Sequence, residues 1–205
     1  MKKGKFIVIE VMDGAGKGTQ LEILKEKLRK NREIENYIFL REPGGTSQGD
    51  DIRKVIMDYK LNSTTQALLF YASRNELILE KIIPALEAGK NIICDRYELS
   101  TFAYQIYANQ DEDSRELIEF LQKKISIIPD KYYFFDISAE TSKKRTSGRS
   151  EENTHFDDEN VSYFERLRLG YKTEIKKYEH KIIDASKEVD EVSSYFIDDV
   201  IKFCD

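Results

Sequence analysis

The stretch that most constrains this chain is residues 5–20, where an apolar run, a glycine-rich turn and a helical pattern follow one another. Residues 6–9 are apolar without alternation, which is typical of a strand buried on both faces in a parallel sheet covered by helices. The turn Gly14-Ala15-Gly16-Lys17-Gly18-Thr19 comes next, and leucines then recur at helical spacing. A strand, such a turn and a helix, in that order, predict a phosphate-binding loop.

The residue types of the turn explain why phosphate would bind there. Gly14 and Gly16 have no Cβ atom, so the backbone can curl until its N–H groups point into a concave nest. The following helix adds the positive end of its dipole. Lys17 offers a charge to the β- and γ-phosphates of a nucleotide, and Thr19 offers a hydroxyl to Mg²⁺. The alternative, a plain turn, does not account for a lysine directly after the second glycine.

Two positions depart from the common pattern Gly-x4-Gly-Lys-Ser/Thr. Val11 stands at the first glycine position, and Gly18 lies between Lys17 and the hydroxyl of Thr19. A backbone with positive φ at position 11 would strain a β-branched side chain. We therefore expect a local adjustment of the loop around Val11.

The composition limits the partners. The chain carries 33 basic and 38 acidic side chains, a net charge of −5, which argues against general binding to nucleic acid or anionic membrane surfaces. Its length of 205 residues suits one domain, residues 1–205, and it shows no long apolar span or apolar signal segment. We expect a cytoplasmic protein in which a few arginines of one cleft bind a small anionic ligand.

Strand-like and helical patterns alternate along the chain. The strand-like runs are residues 6–11, 37–40, 92–94, 132–137 and 181–183. The helical patterns are residues 20–30, 49–59, 64–87, 100–107, 112–125 and 156–178. This alternation predicts an α/β fold of the P-loop NTPase type, a three-layer α/β/α arrangement with a five-stranded parallel sheet. Ligands bind such sheets beyond the carboxyl ends of the strands.

Two polar motifs leave their roles open when considered alone. Arg41-Glu42-Pro43-Gly44-Gly45-Thr46 follows the second strand and is either a binding segment or a turn with solvated charges, with Thr46 able to cap the next helix. Phe70 and Arg74 lie four residues apart and share a helix face, so they can stack on and hydrogen-bond a flat heterocycle. The simpler alternative places Phe70 in the core and Arg74 on the surface.

A third motif, Asp95-Arg96-Tyr97, follows a buried strand and carries a clearer signal. A carboxylate at the end of such a strand is costly unless it is paired or faces a cation. In a phosphate-binding-loop protein, Asp95 is placed to hold Mg²⁺ directly or through water, and Arg96 can clamp a phosphate.

The basic segment that starts at Lys143 has no apolar anchors. It is either a solvated loop or a short mobile lid, over roughly residues 143–156, with arginines that contact phosphate. Its position after the fourth strand suits a lid.

Together, the motifs resemble those of the thymidylate kinases. Glu-x-x-Asp-Gly-Ala-Gly-Lys-x-Thr, Arg-Glu-Pro-Gly-Gly-Thr, Leu-Phe-Tyr-Ala-Ser-Arg and Asp-Arg-Tyr-x-x-Ser-Thr-x-Ala-Tyr-Gln occur in that order, and the likeness covers nearly the whole chain. The second and fourth of these are highly specific together, whereas the phosphate-binding loop alone is not.

The resemblance implies a role for each matching residue. The ATP phosphates would be held by Asp13, Gly14, Ala15, Gly16, Lys17, Gly18 and Thr19, and Mg²⁺ by Asp95 and Thr19. The acceptor dTMP would contact Asp13, Arg41, Phe70, Arg74, Arg96, Ser100, Tyr104 and Gln105. In this arrangement Asp13 faces the sugar, Arg41 and Arg96 bind the acceptor phosphate, and Tyr104 crowds the 2′ position. Phe70 stacks on thymine while Arg74 bonds its edge.

The family also differs internally in the source of its catalytic arginine, which lies either in the phosphate-binding loop or in the lid. Here Gly14 follows Asp13, so the lid would supply it, through Arg145 or Arg149. The catalytic residues implied are Lys17, Arg96, Asp13, Arg149 and Arg145.

The function implied is ATP-dependent phosphorylation of dTMP to dTDP with Mg²⁺, by a homodimer. Alternatives are a kinase for another monophosphate, such as dUMP or dGMP, and a catalytically weakened nucleotide-binding regulatory protein. The intact Lys17, Asp95 and Arg96 argue against the regulatory alternative. An uncharged nucleoside acceptor would not need both Arg41 and Arg96.

Overall fold

A computed structural model describes residues 3–146 and 159–204 of the chain. Its strands are β1 (Phe6–Val11), β2 (Tyr37–Arg41), β3 (Asn91–Asp95), β4 (Lys131–Asp136) and β5 (His180–Asp184). They form one five-stranded sheet in the order β2-β3-β1-β4-β5, and every neighbouring pair is parallel. The predicted five-stranded parallel sheet is confirmed, and each strand ends within one residue of the run seen in the sequence.

Helices cover both faces of the sheet, and the side chains of β4 show how. Phe134 stacks on Tyr171 with ring centroids 5.1 Å apart, whereas the next residue, Phe135, packs edge-on against Phe196 at 5.0 Å. Successive strand residues point to opposite faces, so Tyr171 and Phe196 lie on opposite sides of the sheet. All six residues of β1 are buried, as the unbroken apolar run predicts for a central parallel strand.

The helices lie between and around the strands. They are α1 (Lys17–Lys30), α2 (Ser47–Asp58), α3 (Ser63–Leu77), α4 (Ile83–Glu87), α5 (Glu98–Thr101), α6 (Arg115–Ile125), α7 (Ala139–Thr146), α8 (Val161–Glu174) and α9 (Val189–Cys204). Short 3₁₀ turns occupy Ile34–Asn36, Glu112–Ser114 and Ile175–Lys177. The predicted cap of α2 is confirmed, because the Thr46 hydroxyl accepts a hydrogen bond from the Gly49 N–H at 3.0 Å. No helix within the described ranges is long and apolar enough to span a membrane.

Two π-helical segments interrupt helices that the sequence pattern predicts to be regular. The predicted helix 64–87 contains Ile78–Ile82 in π conformation, between α3 and α4. Pro84 has no N–H to donate one turn back, and this loss accounts for the wider turn before it. The second π segment, Phe102–Ala108, continues α5. It carries two of the predicted site residues, Tyr104 and Gln105.

Three predictions of local structure are wrong or incomplete. Helices α7 and α9 were not expected, and α7 includes the first part of the predicted lid, residues 143–146. Those basic residues therefore end a helix and are not a solvated loop. The rest of the lid, residues 147–156, lies outside the described residues. The last predicted helix starts later than its pattern, at Val161, because the Asn160 side chain caps it by accepting from the Tyr163 N–H at 3.0 Å.

A close approach fixes α8 against the second π segment. A Cβ atom added at Gly170 of α8 would lie 2.9 Å from three carbons of Tyr107, including its Cβ. The Tyr107 hydroxyl also donates to the Glu174 carboxylate at 2.8 Å. The absence of a side chain at Gly170 thus lets α8 place Tyr171 beside Tyr104.

We predict that Gly170→Ala destabilises the protein by about 1–3 kcal/mol, because the added methyl group meets backbone-proximal atoms that cannot swing away. The matched control is Gly18→Ala, also in a helix, where an added Cβ has nothing within 4 Å. Both substitutions replace glycine by the better helix former alanine, so a loss of stability at position 170 alone reports the clash. Urea denaturation provides the measurement, and equal midpoints for the two variants would contradict the prediction.

Candidate active site

A cavity of about 470 Å³ lies at the carboxyl ends of β1, β2 and β3. Parallel strands end at the same edge of the sheet, which brings the three predicted motifs together. Of the predicted site residues, those that line the cavity are Asp13, Gly14, Ala15, Gly16, Lys17, Gly18, Thr19, Arg41, Phe70, Arg74, Asp95, Arg96, Ser100, Tyr104 and Gln105. Arg145 is described but is not part of this lining, and Arg149 lies outside the described residues.

The loop after β1 has the conformation that its glycines permit. Gly14 and Gly16 have φ angles of 82° and 80°, a left-handed region that disfavours other residues. The Ala15 N–H donates to the Met12 carbonyl at 3.3 Å, which closes the turn, and α1 begins at Lys17. Val11 is the last residue of β1 and is not among the residues with positive φ. Val11 therefore carries none of the strain that a positive φ would impose on it, and β1 continues through this position.

Lys17 and Asp95 form an ion pair across the floor of the cavity. The side chain of Lys17 is 19% exposed and that of Asp95 is 12% exposed, so both groups are largely removed from water. Burial lowers the pKa of Lys17, and the negative charge of Asp95 opposes that change. Lys17 thus presents a largely buried, paired ammonium group to the cavity.

Arg96 joins the phosphate-binding loop to the segment that follows β3. Its Nη2 donates to Asp13 Oδ1 at 2.9 Å, and the Tyr104 hydroxyl donates to the other oxygen, Asp13 Oδ2, at 3.2 Å. Burial by itself raises the pKa of Asp13, but the positive charges of Arg96 and Lys17 lower it below its usual value. Arg96 also has a φ angle of 67°, unusual for a residue with a side chain. Such backbone conformations are found most often at functional sites.

The second nitrogen of the Arg96 guanidinium reaches two hydroxyl groups. Nη1 donates to the Tyr171 hydroxyl at 2.9 Å and to Ser100 Oγ at 3.4 Å. Tyr171 comes from α8, on a distant part of the chain. The sequence predicts Ser100 as a site residue, but it gives no role to Tyr171, because only the tertiary contact brings its hydroxyl to Arg96.

Arg74 is the largest fully buried side chain, only 1% exposed, which overturns the simpler alternative that it lies on the surface. Its Nε donates to Glu42 Oε2 at 2.8 Å, and its Nη2 lies 2.7 Å from the same oxygen. The guanidinium also packs over the rings of Tyr71 and Tyr97. Burial raises the pKa of Glu42 to about 7, and the positive charge of Arg74 opposes that rise. Arg74 Nη1 has no hydrogen-bond partner in the described part of the chain.

Phe70 and Gln105 complete this end of the cavity. Phe70 is half-buried and faces the cavity, on the same stretch of α3 as Arg74. The Gln105 amide nitrogen donates to Gln66 Oε1 at 2.8 Å. Its carbonyl oxygen is buried and has no partner among the residues described. This end of the cavity therefore presents the ring of Phe70, the unused donor Arg74 Nη1 and the unused acceptor Gln105 Oε1.

Two further arginines line the cavity at the β2 end. Arg41 is exposed and pairs in register with Asp95 across β2 and β3. Arg53 of α2 donates from Nη1 to the Pro43 carbonyl at 3.2 Å. Arg53 was not predicted as a site residue, because nothing in the sequence pattern of α2 distinguishes an arginine that faces a cavity from one that faces solvent.

Helix α7 packs directly on the phosphate-binding loop. The Ser142 hydroxyl donates to the Asp13 carbonyl at 2.6 Å, and Arg145 Nη1 donates to the Gly14 carbonyl at 3.1 Å. A Cβ added at Gly14 would lie 3.0 Å from Arg145 Cβ and 3.2 Å from the Ser142 carbonyl. The chain thus has little room for a side chain at position 14, and it brings an arginine to the loop from α7.

Comparison with known proteins agrees with this geometry. The family model for thymidylate kinase matches residues 9–195. The chain is 36% identical over 194 residues to a thymidylate kinase of Cupriavidus taiwanensis, covering 93% of this chain and 94% of that one. It is 33% identical over 203 residues to a thymidylate kinase of Staphylococcus haemolyticus, covering 97% and 98%.

A solved structure gives the same result in three dimensions. The crystal structure of thymidylate kinase from Ehrlichia chaffeensis matches with a TM-score of 0.75 at 28% identity, covering 97% of this chain and 99% of that chain. Sequence and structure agree over nearly the whole length. The chain belongs to the thymidylate kinase family.

Proposed function

We propose that the cavity is where this member of the thymidylate kinase family transfers the γ-phosphoryl group of ATP to the phosphate of dTMP, giving dTDP and ADP. The observation that carries the proposal is the position of Arg96. It lies between the phosphate-binding loop, through Asp13, and the pocket formed by Phe70 and Arg74. A donor phosphate and an acceptor nucleotide bound on its two sides would meet at its guanidinium group.

The proposed base site uses two of the buried polar atoms that have no partner among the described residues. Arg74 Nη1 is a donor and Gln105 Oε1 is an acceptor, which together complement a carbonyl and a ring N–H on the edge of thymine. Buried groups of this kind lose free energy until a ligand satisfies them, so the edge is recognised selectively. Phe70 supplies an aromatic face for stacking.

We assign the acceptor phosphate to Arg96 and Arg41, and we add Arg53 to this group. All three line the cavity between the base site and the phosphate-binding loop. Guanidinium groups bind phosphate oxygens bidentately, which fixes orientation as well as charge. Asp13 and Tyr104, which are hydrogen-bonded to each other, would then contact the sugar, with Tyr104 at its 2′ side.

We assign the donor phosphates to residues 13–19 and to Lys17 in particular. An oxygen of the dTMP phosphate attacks the γ-phosphorus, the bond to the β,γ-bridging oxygen breaks, and ADP leaves. The acceptor phosphate is itself the nucleophile, so catalysis consists of positioning and of stabilising charge on the transferred group. Lys17, Arg96 and an arginine from the proposed lid, residues 143–156, supply positive charge for that purpose.

We propose that Asp95 and Thr19 hold Mg²⁺. Asp95 presents a carboxylate to the cavity, and Thr19 lines the same cavity on α1. Mg²⁺ is commonly bound by one or two carboxylates, water and substrate phosphates, and Asp95 and Thr19 supply a carboxylate and a hydroxyl for such a site. When bound, the ion neutralises charge on the β- and γ-phosphates.

We also propose a cytoplasmic homodimer. Exposed apolar side chains occur on three helices that pack in succession on one face of the sheet: Val55 on α2, Leu68 on α3 and Phe120 on α6. Their exposed fractions of 42%, 47% and 57% leave apolar surface that a second copy of the chain would bury.

The activity is tested with Mg²⁺-ATP and a panel of acceptors, namely dTMP, dUMP, dGMP, AMP and thymidine, by coupled detection of ADP. We expect turnover with dTMP well above turnover with the other monophosphates and none with thymidine, which has no acceptor phosphate. Faster turnover with another monophosphate would move the substrate assignment. No turnover with any acceptor would favour the regulatory alternative.

We predict that Lys17→Ala and Arg96→Ala each reduce kcat at least ~100-fold, as the loss of a charge contact to the transition state does. The matched controls are Lys30→Ala and Arg29→Ala, which remove equivalent charges at the exposed far end of α1. Steady-state kinetics with dTMP and ATP give the comparison. A Lys17 or Arg96 variant that turns over like its control would not belong to the site.

We predict that either Arg145→Ala or Arg149→Ala lowers kcat more than it weakens dTMP binding. The lid arginine is proposed to contact the transferred group, which exists only in the transition state, so its loss leaves ground-state affinity nearly unchanged. Steady-state kcat and the dissociation constant of dTMP are measured for both variants. Two variants with wild-type kcat would refute the lid assignment.

A further inference from the structure

A buried carboxylate in β1 has no part in the assignments above. Glu10 is 0% exposed and lies in a strand whose other residues are all apolar and buried. Burial of a carboxylate is costly unless hydrogen bonds and charges compensate it. Burial raises the pKa of Glu10 to about 7, against the lowering effects of Ser100, Arg96, Tyr97 and Arg74. Glu10 stays in the core at this cost, and its hydrogen bonds show which groups it holds.

Three donors converge on Glu10. Oε1 accepts from the backbone N–H of Tyr97 at 3.0 Å and of Ser100 at 3.3 Å, and Oε2 accepts from the Ser100 hydroxyl at 2.6 Å. All three donors belong to the segment directly after Arg96. Glu10 therefore ties the centre of the sheet to the first turn of α5.

The hydrogen bonds continue from Ser100 to Arg96 in one direction. The Ser100 hydroxyl has a single proton, which it donates in a hydrogen bond to Glu10, so the Ser100 oxygen can only accept further hydrogen bonds. The Tyr171 hydroxyl lies 2.8 Å away and donates to that oxygen, which makes the tyrosine oxygen an acceptor for Arg96 Nη1 at 2.9 Å. Because the Glu10 carboxylate can only accept, it fixes the direction of the hydrogen bonds from Ser100 to Glu10 and from Tyr171 to Ser100.

Glu10 also holds the unusual backbone at Arg96. A φ angle of 67° is costly for arginine and persists only where surrounding contacts determine it. The Arg96 N–H donates to the Ile9 carbonyl at 2.9 Å, and the next N–H, that of Tyr97, donates to Glu10. Ile9 and Glu10, which are adjacent in β1, therefore accept the N–H groups of Arg96 and Tyr97 and hold the turn that follows β3.

We propose that Glu10 is a positioning residue that orients Arg96 toward the phosphate of the acceptor nucleotide, through Ser100 and Tyr171, without touching either substrate. This inference rests on the proposed role of Arg96 as a ligand of the acceptor phosphate.

The substitution Glu10→Gln separates this role from a role in packing. Glutamine has nearly the same volume, and its amide oxygen can still accept from the two backbone N–H groups. Its NH₂ group would face the Ser100 hydroxyl and donate to it. Ser100 must then turn its own proton toward Tyr171, and the tyrosine proton is displaced toward Arg96, which has no lone pair to accept it. The hydrogen bond from Arg96 Nη1 to the Tyr171 hydroxyl is thereby disturbed, while Arg96 Nη2 keeps its bond to Asp13 and the strand keeps its shape.

The test compares dTMP with thymidine, which has the same base and sugar but no phosphate. Dissociation constants are measured calorimetrically without ATP at pH 8, where Glu10 is ionised. We expect Glu10→Gln to weaken dTMP binding about ten-fold and to leave thymidine binding within about two-fold, since one charge-assisted contact is disturbed. Equal weakening of both ligands, or no weakening of either, would overturn the proposal.

Two further variants complete the design. Glu98→Gln is the matched control, because Glu98 is also 0% exposed and accepts from the Tyr132 hydroxyl at 3.0 Å, with no hydrogen bond to Arg96, Ser100 or Tyr171. It should leave the ratio of dTMP to thymidine affinity unchanged. Tyr171→Phe breaks the chain beyond Ser100 and should lower that ratio as Glu10→Gln does. If Glu10→Gln does not fold, Tyr171→Phe becomes the deciding variant. An unchanged ratio of dTMP to thymidine affinity in Tyr171→Phe would then overturn the proposal.

The same data separate this inference from the proposed function. A wild-type protein that binds dTMP no more tightly than thymidine would refute the assignment of Arg96 to the acceptor phosphate, and the role of Glu10 would fall with it. A wild-type preference for dTMP that Glu10→Gln and Tyr171→Phe leave intact would refute only the role of Glu10.

Discussion

The ion pair between Arg96 and Asp13 depends on the pairing of β1 with β3. Ile9 lies in register with Asp95, so the two strands end side by side and the loops beyond them start a few ångströms apart. Arg96, directly after β3, then meets Asp13, two residues after β1, at 2.9 Å. No local preference brings these residues together, since 83 positions separate them. The parallel sheet is thus the frame that brings the loops after β1 and β3 together.

Buried charge is concentrated around this frame. Glu10, Glu42 and Arg74 are each 4% exposed or less; Glu10 lies in β1, Glu42 directly follows β2 and Arg74 lies in α3. Ion pairs removed from water contribute little net stability, but they hold their partners in one geometry. Here that geometry serves two ends of the cavity. Glu42 holds the guanidinium group of Arg74 at the proposed base site. Glu10 is proposed to hold the guanidinium group of Arg96 at the proposed phosphate site.

The arrangement of α7 extends the same logic to the donor side. Ser142 and Arg145 both donate to carbonyl groups of the phosphate-binding loop, which anchors the loop backbone to α7. The lack of a side chain at Gly14 makes this approach possible. A residue that supports the loop backbone and a residue that could supply charge to the transferred group thus come from one helix.

By itself, the sequence determined the features that depend on neighbouring residues. The unbroken apolar run predicted a central strand, the glycines at 14 and 16 predicted the left-handed turns, and Thr46 predicted a helix cap. The alternation of strand-like and helical patterns was enough to predict the parallel sheet. These predictions succeed because strand periodicity, backbone freedom and capping are local properties.

The tertiary structure decided which side of each element a residue faces and what it meets there. Spacing allowed Arg74 to be on the surface, but the structure buries it against Glu42. Arg53, Tyr171 and Glu10 carry no local signal, and the register of strands distant in sequence decides their surroundings. The reason is physical: burial and hydrogen bonding depend on contacts between distant segments, which the identity of a residue and its near neighbours does not specify.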